Sequence, residues 1–223
     1  MEKYGLVLEG GGVRGAYTVG VLAWLSDNHI SFDYSAGISS GAMYLACWLT
    51  DRMDTAYHIA TDYAVDPHTV GLQALLSEGH YVAYGRLMEH DILGKEHFDA
   101  EKLRTADPGM EIGVYDLEEG KTVFFPSSAV DDRIELLRAA CALPIASGIV
   151  EYNGHHYLDG GVTKMIPIER ALEMGCTRCM VITTKPEGYV RKPAPAVVRS
   201  CIFPSAAYVN SAAIRPAIII VIM

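Results

Sequence analysis

The apolar and polar positions change rhythm several times along the chain, and each change marks an element. Tyr4-Gly5-Leu6-Val7-Leu8-Glu9 is a short, nearly continuous apolar run, the pattern of a buried strand. A glycine-rich turn follows, Gly10-Gly11-Gly12-Val13-Arg14-Gly15, and residues 16–25 then space their apolar side chains for a helix ending near Asp27-Asn28. Residues 32–36 read as a second strand and residues 42–49 as an apolar helix. From residue 51 to about 103 the pattern loses any clear period and carries many polar and histidine residues, so this stretch is expected to be helical and loop-like, a lid or side region.

Regular alternation then returns. Residues 111–115 and 122–125 are strand-like and joined through Glu118-Glu119-Gly120, a hairpin. Asp131 is placed to cap a helix over 132–141 that Pro144 stops. Residues 149–152 and 156–158 flank Asn153-Gly154, the dipeptide favoured in tight hairpins. Pro167 opens a helix through Leu172 that Gly175 closes, and residues 180–184 form one more core strand. Strands alternating with helices predict an α/β sandwich with a largely parallel sheet, whose ligand sites lie at the carboxyl ends of the strands.

Composition narrows the picture. A chain of 223 residues suits one sizeable core, and with half its residues hydrophobic and a fifth charged it is expected to pack as a globule. A formal net charge of -9 argues against a nucleic-acid partner and against attraction to anionic membranes. The first residues enter a strand without the basic and apolar regions of a secretory signal, so a cytoplasmic location is expected. Five cysteines (Cys47, Cys141, Cys176, Cys179, Cys201) are an odd number without framework spacing, which suits a reducing compartment. No apolar run reaches the roughly 18 residues that span a bilayer, the apolar C-terminal stretch 217–223 included.

The candidate chemistry centres on Gly37-Ile38-Ser39-Ser40-Gly41, between a predicted strand and a predicted helix. Glycines two residues to each side of a serine allow the sharp turn of a nucleophile elbow, with Ser39 at its apex. A serine hydroxyl needs a base, and Asp159 in Asp159-Gly160-Gly161 is the candidate, at a strand end where glycines leave space beside the carboxylate. An acyl-transfer intermediate also carries an oxyanion, for which the bare amides of Gly10, Gly11 and Gly12 are suited, next to a helix N-terminus.

These motifs, in this order and over most of the chain, resemble the patatin-like phospholipases, and residues 139–144 resemble that family's Ala/Pro-containing stretch ahead of the aspartate. The resemblance implies a three-layer α/β/α sandwich with a mostly parallel central sheet and hydrolysis of lipid acyl esters through a Ser-Asp dyad without a catalytic histidine. It implies Ser39 as nucleophile, Asp159 as base, Gly10, Gly11 and Gly12 as the oxyanion loop with Arg14 beside it, and Gly37, Gly41 and Gly160 in support. Neither cofactor nor metal is expected, and the partners are a lipid or other acyl ester and a transient membrane-surface contact. The family-like domain is expected over residues 1–190, with a C-terminal segment, 191–223, that carries no recognised motif and looks cut short.

Other readings compete. Gly10-x-Gly12-x-x-Gly15 after a strand also fits a dinucleotide-binding fingerprint, with Asp33 as the ribose-binding acid, although Asp33 begins a strand where that acid should end one. An inactive relative that only binds lipid is a third class. His155 or His156 would complete a triad if either reached Ser39, but both precede Asp159 and read as hairpin residues. Cys176-x-x-Cys179 lies between a helix and a strand, the wrong junction for a redox pair.

Overall fold

The computed structural model describes residues 2–186, 188–189 and 218–222. β1 (Tyr4–Leu8) lies between two parallel neighbours, β2 (Tyr34–Ile38) and β7 (Arg178–Ile182). β3 (Glu111–Asp116) continues the parallel sheet beyond β2, and β8 (Ile218–Ile222) continues it beyond β7. β4 (Lys121–Pro126), β5 (Val150–Tyr152) and β6 (His155–Asp159) add an antiparallel end. The continuous apolar run of β1 follows from burial on both faces. Its side chains alternate between two cores, Leu6 and Leu8 joining the larger one and Val7 the smaller.

Helices cover both faces and make the expected three layers. The larger core packs under α1 (Ala16–Asp27), α2 (Ser40–Leu49), α3 (Met53–Thr61) and α7 (Glu135–Cys141), and the smaller under α8 (Ile168–Glu173). Three further helices, α4 (Leu72–Glu78), α5 (Tyr84–Arg86) and α6 (Ala100–Arg104), lie in the stretch expected to be a lid or side region. That stretch also supplies Leu87, Met88, Ile92, Phe98 and Leu103 to the larger core, so much of it is built into the domain. Its missing period has a physical cause: Leu87–Lys95 is a π-helix, whose turns are wider than 3.6 residues and bury 87, 88, 91 and 92.

Several boundaries moved. β2 and β7 each sit two residues from their expected positions, 32–36 and 180–184. The helix expected from residue 132 begins at Glu135, because the chain turns left-handed at Ile134 (φ 50°). Asp131 still acts as a cap, accepting the N–H of Arg133 at 2.8 Å and of Glu135 at 3.0 Å. The Asn153-Gly154 hairpin forms with both residues at positive φ (50° and 80°), as a type I′ turn requires. The motif-free segment 191–223 falls mostly outside the described residues; its described part, Ile218–Ile222, pairs in parallel with β7.

One pairing pattern decides where the site can be. β4 pairs with all six residues of β3, occupying one edge of that strand from end to end. The other edge is divided: β2 holds Glu111, Ile112 and Gly113, and β6 holds Val114, Tyr115 and Asp116. The two strands run toward each other, so β2 ends at Ile38 opposite Gly113 where β6 ends at Asp159 opposite Val114. Consecutive β3 residues are about 3.4 Å apart along the strand, so the chain leaving β2 and the chain leaving β6 emerge side by side. Gly160 fits this junction closely, since a Cβ there would lie 2.6 Å from the Gly113 carbonyl oxygen.

Two outcomes test this arrangement. Gly160→Ala should lower stability by about 1–3 kcal/mol in urea titration, because its methyl group would overlap backbone. At the far end of β6, the His155 Nδ1–H donates to the Asp116 carboxylate (2.8 Å), which raises the imidazole pKa above its ordinary 6.5, with the Glu118 and Glu119 charges adding to the shift. A raised folded-state value means that the pair's stabilisation is fully present below 6.5 and is lost as pH rises through the raised value. Melting temperatures of the wild type and His155→Gln should therefore converge as pH goes from about 6 to about 9, and a constant gap would remove the pair as the cause.

Candidate active site

Ser39 sits between β2 and α2 in a backbone conformation that side chains rarely adopt, φ 56° and ψ −132°. Such a conformation costs on the order of 1–3 kcal/mol and persists only where its surroundings impose it. Here the flanking glycines show how. A Cβ on Gly37 would lie 2.6 Å from the Ala42 nitrogen, and one on Gly41 would lie 2.8 Å from the Glu9 carbonyl oxygen. The turn is thus folded against both its own helix and the end of β1. The Ser39 carbonyl accepts the N–H groups of Ala42 (2.9 Å) and Met43 (3.2 Å), so the serine caps α2 through its backbone and leaves its hydroxyl uncommitted to the cap.

Asp159 reaches this corner along the shared β3 edge and is buried, as Ser39 is. Its Oδ1 accepts the Gly161 N–H at 2.7 Å, and its own N–H donates to the Ala142 carbonyl at 2.8 Å. Ile38, the residue before the serine, touches the same turn: Cβ atoms on Gly160 and Gly161 would lie 3.2 and 3.7 Å from its side chain. Burial first, and then the Asp159 charge, push the neighbouring Cys141 thiol up, so it stays a neutral wall group. Burial likewise pushes up the Tyr84 phenol, with the Asp159 charge adding to it.

The glycine loop closes the corner from a third side. A Cβ on Gly10 would lie 2.9 Å from the Ser39 Cβ, which places this loop directly against the serine. The Gly10 N–H donates to the Met165 carbonyl (3.1 Å), six residues past Asp159, and the Gly11 N–H donates to the Ser40 Oγ (3.1 Å). The loop is therefore bonded both to the elbow and to the segment after the aspartate. These bonds commit two of the three predicted amides. The Gly12 and Val13 N–H groups begin a short 3-10 turn, Gly12–Gly15, and have no hydrogen-bond partner among the described residues. Val13 was not foreseen in the sequence, since its side chain carries no chemistry and only its amide matters. Arg14 is exposed, and its guanidinium has no ion pair or hydrogen bond among the described residues.

Glu9 is the other unforeseen residue. It ends the apolar run of β1 yet remains buried, with its carboxylate on Thr184 and Lys185. A charged side chain directly after the buried apolar run Gly5–Leu8 was the signal available.

The competing residues lie elsewhere. His155 pairs with Asp116 and His156 with Glu118 (2.7 Å), so neither imidazole faces Ser39. Asp33 accepts the Tyr4 N–H at 2.7 Å, at the amino end of β1 and β2, the opposite end of the sheet from the glycine loop. Cys176 is at that end too, 2.9 Å from where a Cβ on Gly5 would lie. Asp116, Glu118 and His155 offer ligand atoms within 4.8 Å of one another and could hold a cation, but they lie four residues along β6 from Asp159.

Comparison with known proteins bears on the family and the fold. The patatin-like phospholipase family model matches residues 6–172. Protein YjjU of Escherichia coli (strain K12) is 27% identical over 199 residues, covering 82% of this chain and 52% of its own length. A protein described as probable lipid hydrolase 463L, from Invertebrate iridescent virus 6, is 26% identical over 208 residues, covering 78% of this chain and 69% of its own. The crystal structure of VipD from Legionella pneumophila superposes with a TM-score of 0.52 at 13% identity, over 82% of this chain and 50% of that one, and shares the fold. The chain thus spans about half the length of YjjU and of VipD. Because the matched span holds the glycine loop, the elbow and the Asp159 turn together, this chain belongs to the patatin-like phospholipase family.

Proposed function

We propose that the protein is a serine acyl-ester hydrolase acting on lipid esters, a phospholipase A-like activity, with residues 1–190 as the catalytic unit. The observation that carries this reading is the junction on β3, where the strained Ser39 turn and the buried Asp159 emerge side by side with the glycine loop packed against the serine. Family membership and the viral relative's description as a probable lipid hydrolase support the substrate class.

In this mechanism Asp159 takes the proton of the Ser39 hydroxyl as the oxygen attacks the ester carbonyl. The tetrahedral oxyanion forms against the Gly10-Gly11-Gly12 loop, whose uncommitted donors are the N–H groups of Gly12 and Val13. Collapse expels the leaving oxygen, which takes the proton held by Asp159 and departs as the alcohol, leaving an acyl group on Ser39 Oγ and a carboxylate at Asp159. Water, deprotonated by Asp159, then attacks that acyl carbon, a fatty acid leaves, and the proton returns to the serine oxygen. No imidazole is needed in this reading, because desolvation strengthens a carboxylate as a base and Asp159 is buried. Arg14, exposed beside the loop, is placed to meet a polar or anionic part of the substrate. Exposed apolar side chains at Val13, Tyr17 and Ile145 suit transient contact with a lipid surface, and the net charge of -9 makes that contact apolar in origin.

Ser39→Ala and Asp159→Asn should each lower hydrolysis of a chromogenic acyl ester by at least about a thousandfold with the melting temperature preserved. A fluorophosphonate should label the wild type at Ser39 and leave Ser39→Ala unlabelled. Turnover retained in Ser39→Ala would refute the assignment.

A further inference from the structure

The catalytic reading leaves one buried ion pair without a role, and it lies directly beneath the glycine loop. Glu9 is 3% exposed and immediately precedes Gly10. Its Oε2 accepts the Thr184 N–H at 2.5 Å and the Thr184 hydroxyl at 3.0 Å, and its Oε1 meets the ammonium of Lys185, which is itself 12% exposed. Thr184 in turn stands against the loop. Its hydroxyl lies 3.3 Å from the Gly10 carbonyl oxygen, and a Cβ on Gly11 would lie 2.6 Å from that hydroxyl. The backbone adds three more ties: Glu9 N–H to the Ile182 carbonyl (3.0 Å), Gly10 N–H to Met165 and Gly11 N–H to Ser40.

On the serine hydrolase reading above, we infer that Glu9, Thr184 and Lys185 form a latch that positions the oxyanion loop and couples it to the chain leaving β7. An oxyanion site is effective only when its donors are fixed before the charge develops. Three consecutive glycines supply little stiffness of their own, so the stiffness must come from what the loop is tied to. The Glu9 carboxylate provides that tie, and Lys185 neutralises a charge that would otherwise be buried unpaired next to a developing anion. None of the three touches the reacting atoms, so all act as positioning residues.

The test uses Glu9→Gln, Lys185→Met, the Glu9→Gln/Lys185→Met double variant and the charge-keeping Lys185→Arg. Losing either charge alone strands its partner, so both single variants should melt lower, whereas the neutral double should melt near the wild type. The latch predicts that kcat for a chromogenic ester nevertheless stays about tenfold or more below wild type in the double variant, with KM within about twofold, and that Lys185→Arg recovers most of kcat. Amide hydrogen exchange of Glu9, Gly10 and Gly11 should be about tenfold or more faster in Glu9→Gln, with α2 unchanged. A double variant with wild-type kcat, or unchanged exchange at these amides, would overturn the latch. A wild type that neither turns over esters nor reacts with a fluorophosphonate would instead refute the hydrolase reading, and the exchange measurement would still decide whether the latch holds the loop.

Discussion

The arrangement depends on the division of one edge of β3. Because β4 takes the whole of the other edge, β2 and β6 have to share what remains, and they approach from opposite directions. Two chain ends are thereby delivered to neighbouring positions with their backbones already satisfied by the ladder. Ser39 and Asp159 are thus set at adjacent chain ends on that edge. Gly113 and Gly160, packed against each other at the seam, have no side chains to push the two ends apart.

Around that seam the backbone is over-determined. The positive φ of Ser39 is imposed by a turn pressed onto the Leu8 and Glu9 carbonyls, and the glycine loop is bonded to the elbow on one side and to Met165 on the other. Strain at the apex and rigidity around it are two aspects of one design: a high-energy conformation survives because the lower-energy alternatives would break several contacts at once. Polar burial follows the same logic. Glu9, Ser39 and Asp159 are the buried polar groups of this corner, and Glu9 is compensated by a cation and two donors.

Local chemistry was readable in the sequence wherever a residue type has few alternatives. The Gly-x-Ser-x-Gly turn, the Asn-Gly hairpin and the apolar β1 run all fold as their patterns predict, because each rests on contacts within a few residues or on burial that the pattern itself reports. The closeness of the Ser39 and Asp159 turns could be supposed only through family resemblance, since nothing local to Ile38 or Asp159 says that their strands share an edge. The C-terminal apolar stretch, read as a short non-spanning tail, includes the strand β8, a pairing with β7 that its composition could not reveal. Among the described residues no helix is long and apolar enough to cross a membrane. Residues 51–103 resisted reading for a different reason: helices of three to nine residues and a π-helix dilute the 3.6-residue period that marks longer ones.

The tie between Gly10 and Met165 has a bearing on how the protein comes into being. The loop directly follows β1, yet its holding partners, Met165, Thr184 and Lys185, are made more than 150 residues later. Contacts of such separation form late, after the intervening chain has closed. During synthesis Ser39 therefore exists well before its surroundings do, and a nascent chain stalled or cleaved ahead of β7 carries the Ser39 turn without the contacts that complete this corner.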